Sequence, residues 1–417
     1  MEYLTGVVLA AGGAVDVSWE GETIVAVEPS AKALGRPRLL IPAFIDTHIH
    51  LDKALISGEL AEHEGTLAGA IGAIHERKRR YTVEDVRARA RAVVESAVMS
   101  GTTRLRSHVD VDSIGRLTPL EGVMAAAADC RDIADVRTIA FPQEGILRDP
   151  GTWELMQAAM VAGADIVGGM PHHELDDRTR ADHVRLCFEL AERFDRDVDM
   201  HVDETDDASV RTLEMVADEA LARGWIGRVT AGHVCSLGPA DHDYAERVIE
   251  KCARAEMTIV SNPVTNLVLQ GRGDRGLIRR GLTRVAEFRA AGVNLAFGQD
   301  CVSDGFYPFG RADMLEVALI SAHAAHLTSR ADLAYALEAV TEAPARAWRL
   351  ADYGIRAGAR ADFALYSAPT WPEALRLQRP PEVVWSRGRE VARTRVTQEL
   401  LRDGSGGGAA PPERSNR

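Results

Sequence analysis

The sequence predicts an α/β protein: a (β/α)8 TIM barrel with a small β-sandwich-like domain built from both chain ends. Eight apolar stretches of strand length alternate with amphipathic helical patterns through the middle of the chain. Strands that alternate with helices form parallel sheets, and eight such units over roughly 250–300 residues match the size of a closed barrel. No GxGxxG or P-loop motif follows any strand, which argues against a nucleotide-binding sheet.

The candidate barrel strands are short, apolar and spaced by helical patterns. They are Leu39–Asp46, Thr103–Val109, Val136–Phe141, Asp165–Met170, Asp197–Val202, Arg228–His233, Met257–Ser261 and Val293–Phe297. Helical periodicity between them is clearest over residues 83–100, 182–194, 209–224 and 280–292. The last pattern stops at Gly292, a usual helix end.

The two ends of the chain have a different sequence pattern from the middle. Residues 1–42 and 349–397 contain short strand patterns with Gly-rich turns, which predict one small β domain beside a catalytic barrel of residues 43–348. Residues 403–417 are rich in Gly, Pro and polar residues, so we expect a disordered tail.

Composition narrows the class of protein and its partners. The 417 residues are 46% hydrophobic and 27% charged, and the net charge is −13. An acidic globular chain of this kind argues against nucleic acid or an anionic membrane as a partner. Five scattered cysteines without a CxxC motif indicate neither disulfides nor a thiolate metal site. With no leader or membrane-spanning stretch in the sequence, the expectation is a cytoplasmic enzyme.

A pair of histidines, His48 and His50, follows the first barrel strand in the sequence HIH. Alternate side chains of an extended chain point to the same side, so both imidazoles can face one metal ion. Imidazole suits zinc, iron, nickel and copper. The alternative is a pair of histidines that are satisfied near the core.

Further polar side chains follow other predicted strands, where barrel enzymes place their functional groups. They are Gln143 and Glu144 after strand 3, His201, Asp203 and Glu204 after strand 5, His233 after strand 6 and Asp300 after strand 8. Three imidazoles and a carboxylate match the ligands of a catalytic zinc or iron site with one position open for water.

These motifs resemble the amidohydrolase superfamily, and within it the cytosine deaminase-like branch. The resemblance runs over nearly the whole chain and includes IPAFIDTHIHLDK, FPQEGILRDPG, HVDETDD, SNPVTNLVLQGR and FGQDCVSDGFYPFGRADML. It implies one divalent transition metal ion, zinc or iron, because strand 4 offers no bridging lysine. The implied metal ligands are His48, His50, His201 and Asp300. Gln143, Glu204 and His233 are implied as substrate and catalytic residues.

The chemistry of deamination is consistent with these roles. A metal ion activates water at neutral pH, and Asp300 can take the proton of that water and later return it to the departing ammonia. Glu204 can protonate the ring nitrogen beside the reacting carbon, while His233 would hold or polarise the hydroxide. Gln143 offers both a donor and an acceptor to the ring.

At two positions the residue differs from that of the cytosine deaminases that the chain resembles. Cys301 follows Asp300 where those enzymes have a second aspartate, and Phe306 stands in place of a tryptophan. Both changes enlarge or soften one wall of the pocket. We therefore expect a substrate-binding role for Cys301 and Phe306, and an amino-pyrimidine substrate such as cytosine or 5-methylcytosine.

Alternative functions remain at this point. They are hydrolysis of an N-substituted amino-triazine, a creatinine-like ring or a cyclic amide, and a non-catalytic metal-binding barrel. The expected partners are a small heterocyclic substrate and further copies of the chain in a homo-oligomer. His108 is expected to fill the polar barrel interior, whereas His172 and His173 could line the pocket.

Overall fold

The computed structural model describes residues 1–30, 35–60 and 67–401, and the tail predicted to be disordered, residues 403–417, lies outside them. The strands are β1 (Glu2–Leu9), β2 (Ala14–Glu20), β3 (Thr23–Pro29), β4 (Leu39–Pro42), β5 (Phe44–Ile49), β6 (Thr102–Asp110), β7 (Asp135–Phe141), β8 (Ile166–Gly169), β9 (Val198–Val202), β10 (Val229–His233), β11 (Thr258–Ser261), β12 (Asn294–Phe297), β13 (Phe363–Tyr366), β14 (Val383–Ser386) and β15 (Arg389–Arg393). The helices are α1 (Leu67–Lys78), α2 (Val83–Met99), α3 (Thr118–Asp129), α4 (Thr152–Ala162), α5 (Asp177–Phe194), α6 (Thr212–Arg223), α7 (His242–Arg254), α8 (Pro263–Leu269), α9 (Val285–Ala290), α10 (Met314–Ala324), α11 (Arg330–Glu338), α12 (Glu342–Ala347) and α13 (Trp371–Leu377).

Strands β5 to β12 form one eight-stranded sheet in chain order, and every pairing within it is parallel. This confirms the predicted (β/α)8 barrel. The first and last strands meet where Ile49 bridges Asp300. There the Asp300 N–H donates to the His48 carbonyl at 2.7 Å, and the His50 N–H donates to the Asp300 carbonyl at 3.0 Å. The closure of the barrel therefore brings the HIH motif beside Asp300.

The barrel strands are buried on both faces, as is usual where helices cover a parallel sheet. All nine residues of β6 are buried, including polar side chains that point into the barrel. Arg106 pairs there with Asp199 at 3.0 Å. The His108 Nε2 lies 3.4 Å from the other carboxylate oxygen of Asp199, so His108 fills the polar interior below the mouth.

A second sheet combines the two chain ends, in the order β15-β14-β13-β4-β1-β2-β3. Its apolar face packs Trp19 against Phe363 and Trp385 in edge-to-face contacts. A buried ion pair of 2.9 Å joins Arg104 of the barrel to Asp362, next to the start of β13. None of the helices in the described residues is long and apolar enough to cross a membrane.

The first predicted strand, Leu39–Asp46, is wrong in its extent, because it comprises parts of two strands. Residues Leu39–Pro42 pair with β13 in the second sheet, whereas Phe44–Ile49 pairs with β6 in the barrel. Pro42 has no N–H to donate to a ladder. The chain therefore changes sheets after Pro42, and His48 lies inside a strand rather than beyond its end.

The helix predicted over residues 280–292 is also shorter than expected. Only Val285–Ala290 is helical, because Gly281 is left-handed (φ +65°) and the backbone is still non-helical at Arg284, where ψ is +67°. The predicted helix over residues 209–224 starts three residues later, at Thr212. Asp203 explains that start, since its carboxylate accepts hydrogen bonds from the backbone N–H groups of Thr212 at 2.8 Å and Leu213 at 3.1 Å.

Candidate metal and substrate site

A cavity of about 570 Å³ opens at the carboxyl ends of the barrel strands. The side chains that line it and that the sequence singled out are His50, Gln143, Glu144, His172, His173, His201, Glu204, Asp300, Cys301 and Phe306. This agrees with the position of ligand sites in barrel enzymes. Two of the other candidates, His48 and His233, lie behind this surface against His201, with ring centroids 4.5 Å and 4.6 Å from its ring.

The four residues expected to bind metal lie side by side. The Nε2 atoms of His50 and His201 are 3.1 Å apart. The Asp300 Oδ1 lies 3.3 Å from His50 Nε2 and 3.7 Å from His48 Nε2. Three imidazole nitrogens and a carboxylate oxygen that lie this close together form a cation site.

The surroundings of these histidines fit a metal ion. Among the described residues, no hydrogen-bond partner exists for either ring nitrogen of His48, including the Nε2 atom that faces Asp300. Burial lowers the pKa of His50 to about 3, and it lowers the pKa of His48 and of His201 well below the ordinary value. The imidazoles are therefore neutral at physiological pH, which is the form that binds metal.

His233 also lies within reach of a metal ion bound at this cluster. One ligand atom from each of His48, His201, His233 and Asp300 lies within 4.8 Å of the others. The geometry alone therefore admits His233 as a metal ligand, besides the catalytic role expected from the sequence.

Glu204 and His233 share a partner that the sequence analysis did not single out, Asn266. The Asn266 amide donates to Glu204 Oε1 at 3.0 Å, and its oxygen lies 3.1 Å from His233 Nδ1. The Glu204 Oε1 is also 3.3 Å from His233 Nδ1. Asn266 lies in the SNPVTN segment. Its polar residues follow a buried strand, and that pattern could have identified Asn266 as a site residue.

Two carboxyl groups of the site differ in their acidity. Burial raises the pKa of Glu204, and the charge of Asp300 adds to the rise. Burial also opposes ionisation of Asp300, but His233 and a hydrogen bond with His50 hold its pKa at about 2. Glu204 therefore holds a proton more readily than an exposed glutamate does, whereas Asp300 is ionised at neutral pH.

Several strand-end residues adopt a left-handed backbone, with φ +54° at Asp203, +70° at His233 and +64° at Asp300. Such conformations cost of order 1–3 kcal/mol each for non-glycine residues, and they concentrate at functional sites. Here they turn the chain sharply at the point where each side chain enters the site or caps a helix.

The expected substrate-binding residues all line the cavity. Cys301 Sγ lies 3.7 Å from Asp300 Oδ1, and burial raises the pKa of the thiol well above its usual range, so the thiol is neutral. Phe306 is partly buried at the wall. The Gln143 amide oxygen accepts a hydrogen bond from the Lys53 ammonium group, a contact that the sequence did not predict.

Four further histidines lie in or near the cavity. His172 and His173 line the cavity, and burial lowers the pKa of His172 to about 3. His108 does not line it; its ring packs against that of His48 at a centroid distance of 4.2 Å. His75, at the rim, contacts Glu144 at 2.7 Å. His75 was not expected at the site, because it comes from a helix rather than from a strand end.

Comparison with known proteins places these features in a family. A family model described as "Amidohydrolase family" matches residues 58–392. The chain is 33% identical to a pterin deaminase of Rhizobium rhizogenes over 368 residues, which cover 87% of this chain and 83% of the relative.

Solved structures of similar proteins cover almost the whole chain. The crystal structure of 5-methylcytosine deaminase from Klebsiella pneumoniae, liganded with 5-fluorocytosine, matches with a TM-score of 0.91 and 33% identity over 96% of this chain and 99% of that chain. The N-isopropylammelide isopropylaminohydrolase of Burkholderia multivorans matches with a TM-score of 0.81 and 30% identity over 94% and 98% of the two chains.

Proposed function

The chain belongs to the amidohydrolase family and is a metal-dependent hydrolase of C–N bonds, and on that premise we propose that it deaminates an amino-pyrimidine. Cytosine or a 5-substituted cytosine, such as 5-methylcytosine, is the first candidate. The observation that carries the proposal is the meeting of His50, His201, Asp300 and the acid Glu204 on one cavity. Similarity to the Klebsiella enzyme supports the choice of ring.

The metal ion, zinc or iron, would be held by His48, His50, His201 and Asp300. When bound, it would lower the pKa of a water molecule and so provide the nucleophile. Asp300 is ionised at neutral pH, because its pKa is held at about 2. Its carboxylate can therefore take the proton that the attacking water loses.

Glu204 is proposed to protonate the ring nitrogen beside the amino-bearing carbon. Burial raises its pKa, which keeps a larger share of the carboxyl protonated. Asn266 and His233 hold its Oε1, so its other oxygen is the one available to the substrate. In the reaction a C–O bond forms, the C–N bond breaks and one water is consumed. One proton of that water reaches the departing ammonia through Asp300, and the other restores Glu204 when the ring carbonyl forms.

A fused bicyclic amino-pyrimidine such as a pterin is the second candidate, and the size of the cavity favours it. Its volume of about 570 Å³ falls within the range of about 300–1,000 Å³ that holds drug-sized ligands. A single six-membered ring would leave part of it to water. The pterin deaminase of Rhizobium rhizogenes is as similar in sequence as the Klebsiella enzyme.

A substrate screen with metal-loaded protein tests the proposal. We expect ammonia from cytosine, 5-methylcytosine or pterin, and the highest kcat/KM identifies the substrate. Release of isopropylamine from N-isopropylammelide, with no ammonia from the other compounds, would instead support the triazine alternative. No release of ammonia or amine from any compound, with metal bound, would contradict deamination.

A further inference from the structure

Lys53 is a buried cation in the wall of the cavity that the proposed chemistry does not use. Its side chain is only 1% exposed, yet the residue lines the cavity. The ammonium nitrogen lies 5.6 Å from the ring centroid of Phe141 and 5.9 Å from that of Phe306. A cation between two aromatic rings is stabilised by their negative faces.

The carboxylate of Asp110 holds this ammonium in place. Lys53 donates to Asp110 Oδ1 at 3.0 Å. The other oxygen of Asp110 lies 2.5 Å from the ammonium of Lys78, which also donates to Asp112 at 2.6 Å. Although burial opposes its charge, the carboxylates of Asp110 and Asp52 raise the pKa of Lys53 above its ordinary value. Lys53 is therefore a permanent and well-positioned cation.

The second hydrogen bond of Lys53 determines the orientation of the Gln143 amide. An ammonium group can only donate, so the oxygen of Gln143 must face Lys53 and its NH2 group must face elsewhere. Within the described chain, that NH2 group makes no hydrogen bond, and Gln143 lines the cavity. Lys53 also keeps one N–H beyond those given to Asp110 and Gln143.

We propose that Lys53 is a specificity-determining residue that, together with Gln143, selects heterocycles bearing a ring carbonyl oxygen. The two neighbouring side chains offer N–H donors, and a carbonyl oxygen has two lone pairs to accept them. The ring nitrogen beside the reacting carbon is left to Glu204. This proposal rests on the proposed deaminase function, and it revises the expectation that Gln143 offers a donor and an acceptor equally.

Substitution of Lys53 with matched controls tests this role. Cytosine carries the carbonyl, and 4-aminopyrimidine lacks it. In the Lys53→Met variant we expect the ratio of kcat/KM for cytosine to kcat/KM for 4-aminopyrimidine to fall by about 10- to 100-fold, the range for loss of a hydrogen bond to a charged group. Lys78→Met is the matched control, because Lys78 also pairs with Asp110 but does not line the cavity. It should leave the ratio of the two kcat/KM values unchanged.

A second variant guards against loss of folding. Lys53→Met combined with Asp110→Asn removes both charges of the pair, so that the substitution of the lysine does not leave a buried carboxylate without its cation. The same fall in the ratio is expected. An unchanged ratio in the Lys53 variants, or an equal change in Lys78→Met, would overturn the proposal.

A binding measurement separates this inference from the proposed function. Calorimetric titration of the metal-loaded protein with 2-hydroxypyrimidine and with pyrimidine requires no turnover. We expect Lys53→Met to weaken the binding of 2-hydroxypyrimidine at least about 10-fold and to leave pyrimidine binding unchanged. This result without ammonia release from any heterocycle would reject deamination and keep the role of Lys53. Binding of 2-hydroxypyrimidine that does not depend on Lys53 would reject that role, whether or not the protein is a deaminase.

Discussion

At the scale of single residues, the surroundings of Glu204 decide its chemistry. A glutamate on a surface is ionised at neutral pH, whereas burial in the cavity raises the pKa of this one. Its neighbour in sequence, Asp203, instead caps helix α6 through Thr212 and Leu213. Two adjacent carboxyl groups thus serve different purposes, since one faces the cavity and the other faces a helix terminus.

Glu204→Gln should therefore abolish turnover and leave metal binding intact. The amide keeps the size of the side chain but cannot deliver a proton, and loss of a general acid typically costs about 10²–10⁴-fold in rate. Steady-state kinetics and elemental analysis of the same preparation measure both effects. Loss of the metal together with activity would mean that Glu204 helps to bind the ion.

At the scale of elements, the start of helix α6 depends on the Asp203 carboxylate. Asp203→Ala should lower the free energy of unfolding by about 1–3 kcal/mol, because the buried N–H groups of Thr212 and Leu213 lose their acceptor. Urea denaturation measures the loss. Asp207→Ala is the matched control, since Asp207 accepts from the exposed Ser209 and its loss should cost much less. Equal effects of the two variants would contradict the cap.

The ion pair of Arg104 with Asp362 is buried on both sides at the junction between the barrel and the second sheet, where Arg360 and Arg387 also pair with Asp135. Asp362→Ala should destabilise the protein by about 3–5 kcal/mol, because the buried guanidinium of Arg104 then keeps only the more distant carboxylate of Asp135, at 3.6 Å. Glu390→Ala, which breaks an exposed pair with Arg393, should cost less than about 1 kcal/mol. Thermal unfolding compares the stability of the two variants. A small effect of Asp362→Ala would show that Arg104 finds another partner or solvent, and would contradict the prediction.

At the scale of the whole molecule, the buried histidines link stability to pH. In the metal-free protein the pKa of His50 and of His172 is lowered to about 3 from an ordinary value of 6.5. The unfolded chain therefore binds more protons than the folded chain between these values, and the free energy of unfolding falls as the pH drops below about 6.5.

Urea denaturation of the metal-free protein from pH 7 to pH 4 measures how the free energy of unfolding depends on pH. This dependence should become shallower in His172→Asn.

Addition of zinc should raise the melting temperature by mass action in the wild-type protein and in the rim variant His75→Ala, but not in His201→Ala. A metal-induced shift that survives in His201→Ala would contradict the proposed ligands.

The sequence by itself determined the barrel and most of the residues at its mouth. Alternation of apolar strands with amphipathic helices predicts a barrel, and the parallel strands of a barrel place their carboxyl ends together. This local pattern is why His50, His201, Glu204 and Asp300 could be predicted to meet. The bounds of elements were less predictable where a single residue interrupts a pattern, as at Pro42 and Gly281.

Only the tertiary structure decided which side chains contact one another across the cavity. Lys53 and Gln143 are ninety positions apart, and Asn266 reaches Glu204 across sixty-two, so no local periodicity could connect them. The acidities also depend on burial and on neighbouring charges, which are properties of the folded chain. The HIH motif and its partners thus indicate hydrolysis at a metal, whereas the contact of Lys53 with Gln143, on which the proposed carbonyl selection rests, exists only in the folded chain.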